Sequence, residues 1–192
     1  MFKAKQIPSH QIKDNAILAV DVDYRDGYAI AAGVLFQDWD SVECAVITAR
    51  IDDVQPYEPG AFYKRELPCI LELLKHIKIK LGCIIVDGFV RLGADQHDGL
   101  GAYVHHVTQI PVVGVAKTYF EETPDLTKVF RGGSKKPLYV TSIGGDEEMA
   151  RLVVEVMAGD HRIPGMLKYV DYICRNQDLR PFSCVHTQQP VV

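Results

Sequence analysis

The first part of the chain is organised into short apolar runs separated by polar turns. Residues 16–23 (AILAVDVD), 28–36 (YAIAAGVLF) and 42–51 are rich in residues that favour β-strands. The first two runs flank an Arg-Asp-Gly turn at residues 25–27, and Asp-Gly is a strong hairpin signal. Only the polar residues 37–41 separate the second run from the third. We therefore predict three strands joined in an antiparallel meander.

The rest of the chain alternates between helical and strand-like patterns. Apolar residues recur at helical spacing up to Leu81, which predicts a helix over residues 66–80. Because proline fits best in the first turn of a helix, Pro68 places Glu66 at the very start of this one. Strands are predicted at residues 83–86, 112–115 and 138–141, and further helices at residues 99–107, 147–157 and 163–174.

The predicted order of elements is β-β-β-α-β-α-β followed by β-α-α. It describes an α/β fold in which a mixed sheet is flanked by helices, and it is typical of the ribonuclease-H-like fold. With 192 residues, the chain is expected to form one domain. We expect its core to cover about residues 16–176. Residues 177–192 have little periodicity and should form a loose tail.

Composition places the chain among ordinary globular proteins. Hydrophobic residues make up 47% and charged residues 24%. No run approaches the roughly 18 consecutive apolar residues of a membrane span, and residues 1–15 lack the apolar core of a signal peptide. Five cysteines without a C-x-x-C pair are typical of a reducing compartment, so we predict a cytoplasmic protein that does not bind membranes.

Charge and motif content narrow the classes of partner and reaction. A net charge of -4 neither favours nor excludes nucleic acid, since phosphate contacts need only local Lys or Arg. The sequence contains no G-x-x-x-x-G-K-[ST] phosphate loop, no recognisable nucleophile turn and no histidines at zinc-ligand spacing. We expect a monomer.

Three acidic residues are predicted to meet at one edge of the sheet. Asp21 interrupts the first strand, Asp87 ends the fourth strand, which should pair beside the first, and Glu66 opens the helix between them. Carboxylates are natural ligands of Mg²⁺, which can activate water and neutralise charge in phosphodiester cleavage. Acids that end strands are also common as caps and turn formers, whereas a lone charge within a strand is costly. Spacing alone leaves a metal site and a structural role open.

Residues 55–68 (QPYEPGAFYKRELP) carry the most specific motif in the chain. They resemble the endonuclease V family, in which a P-Y-x-P-G loop is followed by F-x-x-R-E-x-P. Residues 84–88 (IIVDG), 111–117 (PVVGVAK) and 136–140 (KPLYV) are similar to further segments of that family, in the same order. The resemblance covers about residues 16–164.

The resemblance implies a magnesium-dependent endonuclease of DNA repair that recognises hypoxanthine (inosine) in DNA or RNA and cuts the strand 3′ of it. Asp21, Glu66 and Asp87 match the family's metal-binding acids, which hold Mg²⁺ or alternatively Mn²⁺. Lys117 matches a lysine near the scissile phosphate, although a solvated surface lysine is the commoner fate of this residue type.

Five further residues match positions that bind the substrate. Tyr57, Pro59 and Gly60 match a loop that separates the strands, and an aromatic ring flanked by prolines is a stiff tip suited to fill the gap left by a flipped base. The alternative for this loop is an ordinary surface turn. Arg65 either contacts a phosphate or pairs with an acid, and Gly88 would lie beside the base pocket.

Two segments depart from the family pattern. After Asp87-Gly88 the family usually has a histidine, a glycine and a basic R-x-L-G segment, whereas residues 89–101 differ and carry one extra residue. After the strand near Lys136, family members commonly have a G-H-R segment whose histidine assists at the metal site, and residues 141–148 (TSIGGDEE) contain no histidine. Asp146 is the nearest substitute as a metal ligand, and it is equally suited to cap the following helix.

These departures leave two rival functions open. The chain could be a catalytically impaired relative that only binds nucleic acid. It could also be a phosphodiesterase with another nucleic-acid substrate, because a fold does not fix a function.

Overall fold

A large mixed β-sheet with helices on both faces forms the centre of the computed structural model, which describes residues 2–56, 58 and 61–176. The strands are β1 (Lys5–Gln6), β2 (Ala16–Arg25), β3 (Tyr28–Phe36), β4 (Glu43–Ile51), β5 (Leu81–Val86), β6 (Arg91–Leu92), β7 (His97–Asp98), β8 (Val112–Ala116), β9 (Lys128–Val129) and β10 (Leu138–Ile143). The helices are α1 (Phe62–Leu74), α2 (Leu100–Thr108), α3 (Glu147–Val156) and α4 (Gly165–Asn176).

The sheet has the strand order β1-β4-β3-β2-β5-β8-β10-β9. Strands β2, β3 and β4 form the predicted antiparallel meander, and β5 pairs in parallel with β2, as expected for the fourth apolar strand. Strand β8 continues the parallel part, and β10 then runs antiparallel to β8. Strands β6 and β7 form a separate small hairpin. The architecture is the predicted ribonuclease-H-like α/β fold.

The two faces of the sheet are covered by different helices. In β2, Ile17 and Ala19 belong to the core beneath α3 and α4, whereas Leu18 and Val20 belong to the core beneath α1 and α2. Side chains alternate between the faces of a strand, so Asp21 continues the row of Ile17 and Ala19. The central strand thereby directs a carboxylate toward the α4 side of the sheet, just beyond its apolar core.

The boundaries predicted for the first helix were wrong at both ends. Helix α1 begins at Phe62, so Pro68 lies in its second turn and Glu66 lies inside the helix. A proline there leaves the Lys64 carbonyl without its usual partner, but Lys64 and Pro68 are exposed and water can reach this carbonyl. The helix ends at Leu74 in a turn, in which the N–H groups of His76 and Ile77 donate to the carbonyls of Leu73 (3.1 Å) and Leu74 (3.0 Å).

The remaining expectations concern the cysteines, membrane spans and the C-terminal tail. The cysteines of the described residues, Cys44, Cys69, Cys83 and Cys174, are buried free thiols. No helix in this part of the chain is long and apolar enough to cross a membrane. The predicted tail, residues 177–192, lies outside the described residues.

Candidate active site

The candidate site lies where the parallel strands of the sheet end. Val20 of β2 pairs with Val86 of β5, so Asp21 and Asp87 follow on neighbouring strands. Strand β8 pairs on the other side of β5 and ends at Ala116, immediately before Lys117. The carboxyl ends of adjacent parallel strands therefore bring two acids and one lysine together.

Asp87 and Lys117 form a close ion pair. The Lys117 Nζ donates to Asp87 Oδ2 at 2.5 Å, and both side chains are partly buried. Burial opposes ionisation of Lys117, but the hydrogen bond and the charge of Asp87 outweigh it and raise the pKa of Lys117. Lys117 is thus held in its charged form at the end of β8. The Arg162 guanidinium donates to the carbonyl of Lys117 and fixes its backbone.

The environment of Asp21 favours its protonated form. Burial, followed by repulsion from Asp87, raises the pKa of Asp21 from 3.8 to about 6. The Val22 N–H, which donates to Asp21 Oδ1 at 2.9 Å, and the charge of Lys117 act in the opposite direction. The site therefore stores unfavourable electrostatic free energy when Asp21 is ionised, and a cation would relieve it.

Glu66 is the most buried of the three acids. It shares the buried stripe of α1 with Cys69, Ile70 and Leu73, a spacing that turns it toward the sheet. Only 4% of its surface is exposed, and Glu66 Oε2 has no hydrogen-bond partner among the described residues. Burial, with repulsion from Asp21 and Asp87, raises the pKa of Glu66 well above its ordinary value. A buried carboxylate without a partner is costly, and a bound cation would relieve that cost.

A fourth acid, Asp171 of α4, faces the same charges. Its charge makes a minor contribution that raises the pKa values of both Asp21 and Lys117, and its partly buried carboxylate accepts a hydrogen bond from Arg175 Nε (2.8 Å). The neighbouring α4 residues Leu167 and Val170 close a cavity of about 10 Å³ against Asp21, Asp87 and Lys117, among others. Sequence reasoning missed Asp171, because no motif marks it. The only available signal was an acid beside the buried stripe of an amphipathic helix.

The last turn of α4 is tied to the end of β2. The Arg25 guanidinium donates to the carbonyls of Cys174 (2.9 Å) and Arg175 (3.0 Å), and its Nε donates to Asp23 Oδ2 (3.0 Å). Cations favour helix C-termini, where carbonyls lack intrahelical partners. This contact fixes the C-terminal turn of the helix that carries Asp171.

The donor set fits a divalent cation in composition and charge. Oxygen ligands of this kind suit Mg²⁺ and Mn²⁺, and the orphaned Glu66 Oε2 with the mutual repulsion of Asp21, Glu66 and Asp87 is what a cation would relieve. The side chains do not yet converge: within residues 2–56, 58 and 61–176, no three His, Cys, Asp or Glu side chains form a preassembled metal cluster. Holding a cation therefore requires side-chain adjustment, starting with Asp87, which is now paired with Lys117.

The structure does not bring Asp146 to this site. Asp146 is the N-cap of α3, and its Oδ1 accepts a hydrogen bond from the Met149 N–H (2.7 Å), as the capping alternative predicted. It lines a separate cavity beside Cys83 and Val112, near the beginnings of β5 and β8. Asp146 lies near the beginnings of β5 and β8, whereas the other acids lie near the ends of these strands. The suggestion that Asp146 replaces the missing histidine at the metal site was therefore wrong.

The segment after Asp87 packs directly on the sheet. Gly88 has a φ of +153°, which favours glycine, and a side chain at Gly114 would meet the Gly88 carbonyl at 2.6 Å. The Val90 N–H donates to Thr141 Oγ1 (2.8 Å). These contacts hold Gly88, the residue directly after Asp87, against β8.

The other predicted substrate-binding residues divide into two groups. Tyr57, Pro59 and Gly60 lie outside the described residues. The guanidinium of Arg65 forms no ion pair with an acid of the described residues; it stacks over the Tyr24 ring at 3.6 Å from the centroid. Tyr24 is on β2, three residues after Asp21, so Arg65 braces α1 against the strand that carries this acid.

Sequence comparisons match most of the chain to known proteins. A sequence model described as Endonuclease V matches residues 2–167. Endonuclease V of Rippkaea orientalis is 27% identical over 201 residues, covering 91% of this chain and 86% of that protein. Endonuclease V of Streptomyces coelicolor is 30% identical over 139 residues, covering 71% of this chain but only 57% of the relative.

Solved structures show the same fold. The endonuclease V of Streptomyces avermitilis has a TM-score of 0.69 and 25% identity, covering 85% of this chain and 81% of the other. The endonuclease V of Ciona intestinalis, in complex with a 23mer DNA containing an inosine followed by a ribo-adenosine, has a TM-score of 0.66 and 17% identity, covering 84% of each chain. Taken with the match over residues 2–167, these similarities place the chain in the endonuclease V family of nucleases.

Proposed function

We propose that the chain is a metal-dependent endonuclease that cleaves the phosphodiester 3′ of a deaminated purine, hypoxanthine or inosine, in DNA or RNA, as a step of DNA repair. The observation that carries the proposal is that Asp21 and Asp87, whose charges raise the pKa of the buried Glu66, lie beside Lys117 in a chain of this family. The substrate is supported by the Ciona relative, which was crystallised with inosine-containing DNA.

Four acids of this chain would hold the cation, with Mg²⁺ as the expected ion and Mn²⁺ as an alternative. They are Asp21, Glu66, Asp87 and, in place of Asp146, Asp171. When bound, such a cation polarises a phosphoryl oxygen and lowers the pKa of the attacking water. Burial of Glu66 and partial burial of Asp21 keep bulk water from screening these charges.

Lys117 is the residue of the site that would act on the phosphate itself. Its ammonium group is charged, fixed by Asp87 and anchored through its backbone by Arg162. Phosphoryl transfer depends mainly on positioning and on donors aimed at developing negative charge. Lys117 would supply such a donor to a non-bridging oxygen of the scissile phosphate. Gly88, which has no side chain, leaves room for the nucleic-acid strand to approach closely.

The test is cleavage of labelled single strands that contain one inosine, made as DNA and as RNA. We expect a cut 3′ of inosine that requires Mg²⁺ or Mn²⁺, is absent from a strand with adenine in its place, and is lost in Asp87→Ala. Absence of cleavage with either ion, by a chain shown to be folded, would overturn the proposal. Tight binding of the inosine strand without cleavage would instead favour the impaired binding relative, and cleavage that ignores inosine would favour another phosphodiester substrate.

A further inference from the structure

Two exposed aromatic rings follow the lysine of the candidate site. Tyr119 and Phe120 are 55% and 46% exposed, whereas most large aromatic side chains in folded proteins are largely buried. They lie two and three residues after Lys117. Adjacent exposed rings beside a catalytic group are unusual for a structural loop and typical of a binding surface.

The rings are held in place from below. The Tyr119 ring lies 5.8 Å from the ring of Tyr139, and the Phe120 ring lies 6.2 Å from the ring of Phe89. Phe89 and Tyr139 are buried and lie 6.2 Å from each other. The Glu122 N–H also donates to Tyr119 Oη (3.0 Å). We call Tyr119 and Phe120, on this buried support, the aromatic shelf.

The aromatic shelf is continuous with the candidate site. Its support includes Phe89, two residues after Asp87, and Tyr139, which pairs across the sheet with Ala116, the residue before Lys117. A strand whose phosphate lies at Lys117 would therefore have neighbouring nucleotides within reach of the two rings.

The charges around the aromatic shelf favour bases over phosphates. Glu121 and Glu122 directly follow the rings and are exposed, and the nearby Lys128 is paired with Asp125 (2.5 Å), so this surface offers phosphate groups no excess of positive charge. Aromatic rings stack on any nucleobase without regard to its charge or sequence. Bases inside a duplex are already stacked on each other, so only unpaired or splayed-out bases can use such a surface.

We infer that the aromatic shelf stacks one or two unpaired nucleobases of the strand whose phosphate is bound at Lys117. The placement of the phosphate rests on the proposed function, whereas stacking itself is tested by binding alone. The aromatic shelf acts as a positioning surface that makes single-stranded or locally opened nucleic acid the preferred form of substrate.

The experiment uses the full chain with Asp87→Asn in every protein, so that bound strands stay uncut. Single strands containing one inosine carry 2-aminopurine at successive positions on both sides of the scissile phosphate. We compare the parent with Tyr119→Leu/Phe120→Leu, which removes the rings but keeps apolar side chains, and with Phe120→Tyr, which keeps a ring. Phe130→Leu is the matched control, because Phe130 is as exposed (54%) but lies outside the aromatic shelf.

The parent should quench 2-aminopurine fluorescence at one or two positions. The leucine double variant should lose that quenching and bind the strand roughly 5- to 150-fold more weakly, the range expected for loss of one stacked base. Phe120→Tyr and Phe130→Leu should stay within about twofold of the parent, because neither removes a stacking ring. The slope of log Kd against log salt should not change, since no phosphate contact is removed.

A base-deletion strand separates the loss of stacking from a loss of folding in the double variant. With an abasic nucleotide at the quenched position, the parent and the leucine double variant should bind equally. Equal quenching and equal Kd for the parent and the double variant on the intact strand would overturn the inference, as would a changed salt slope. Failure of the unmodified chain to cut the inosine strand would refute the proposed function, while the quenching pattern would still decide the role of the aromatic shelf.

Discussion

Replacing Asp21 with asparagine should make the metal-free protein more stable at neutral pH while it abolishes cleavage. The amide keeps the size of the side chain and an oxygen that can accept the Val22 N–H, but it carries no charge. It therefore removes the unfavourable burial of a carboxylate and its repulsion with Asp87. The same change removes a ligand from the proposed cation site.

The magnitude follows from the pKa of Asp21, which is 3.8 ordinarily and about 6 in the folded chain. Between these values the folded state holds a proton that the unfolded state has lost, so the free energy of unfolding falls as the pH rises through this window. Above about pH 6 the loss is complete and amounts to roughly 3 kcal/mol, at about 1.36 kcal/mol per pH unit. Asparagine does not titrate, so the variant escapes this loss.

The assay is urea unfolding in EDTA at several values between pH 4 and pH 8, followed by the fluorescence of Trp39, the only tryptophan of the chain. The gain in unfolding free energy of Asp21→Asn over wild type should be small at pH 4 and approach 3 kcal/mol at pH 8. Asp26→Asn makes the same chemical change in an exposed turn and should shift stability by less than about 0.5 kcal/mol.

The pH dependence of the difference in unfolding free energy between Asp21→Asn and wild type tests this electrostatic explanation. A difference that is constant from pH 4 to pH 8, or a variant less stable than wild type at pH 8, would refute the electrostatic reasoning. Added Mg²⁺ at pH 8 should stabilise the wild type by mass action and stabilise Asp21→Asn much less. Equal stabilisation of both proteins would remove Asp21 from the cation site.

Three further substitutions test the roles of single side chains. Lys117→Met should lower the single-turnover cleavage rate by about 100-fold or more, the usual effect of removing one preorganised donor, and near-normal turnover would contradict its proposed role. Asp171→Asn should weaken the apparent Mg²⁺ affinity by about 10- to 100-fold in a titration of the cleavage rate, whereas an unchanged titration would exclude Asp171 from the site. Asp146→Ala should leave cleavage unchanged but lower the unfolding free energy by about 1 kcal/mol through loss of the cap of α3, and a loss of cleavage in a folded variant would return Asp146 to the site.

Much of the sheet could be predicted because its strands are apolar and bounded by clear turns. Residues 28–36 were predicted as a strand and form β3 with the same bounds. The charge of Asp21 stood out because the five residues before it in the strand, and Val22 after it, are apolar. Where burial and the local apolar pattern agree in this way, the sequence alone is enough to find both a strand and the charged residue that interrupts it.

The first helix shows where a local rule fails. Proline is disfavoured inside helices because it lacks an N–H and crowds the preceding turn. In α1 the affected carbonyl, on Lys64, lies on an exposed face, so its cost is reduced by water. Exposure is a property of the packed structure, which is why the sequence placed Glu66 at the start of the helix rather than one turn inside it.

The choice of a fourth acid depends on strand direction, which local patterns do not reveal. Asp146 follows a strand just as Asp87 does, and a motif-based comparison treats the two positions alike. Strand β8 runs parallel to β5, however, whereas β10 runs antiparallel to β8 and ends beside its beginning. Asp146 is thereby carried to the opposite edge of the sheet. Arg25 at the end of β2 holds the last turn of α4, the helix that carries Asp171. The proposal of Asp171 as a fourth ligand therefore comes from following the elements that pack near Asp21 rather than from spacing along the chain.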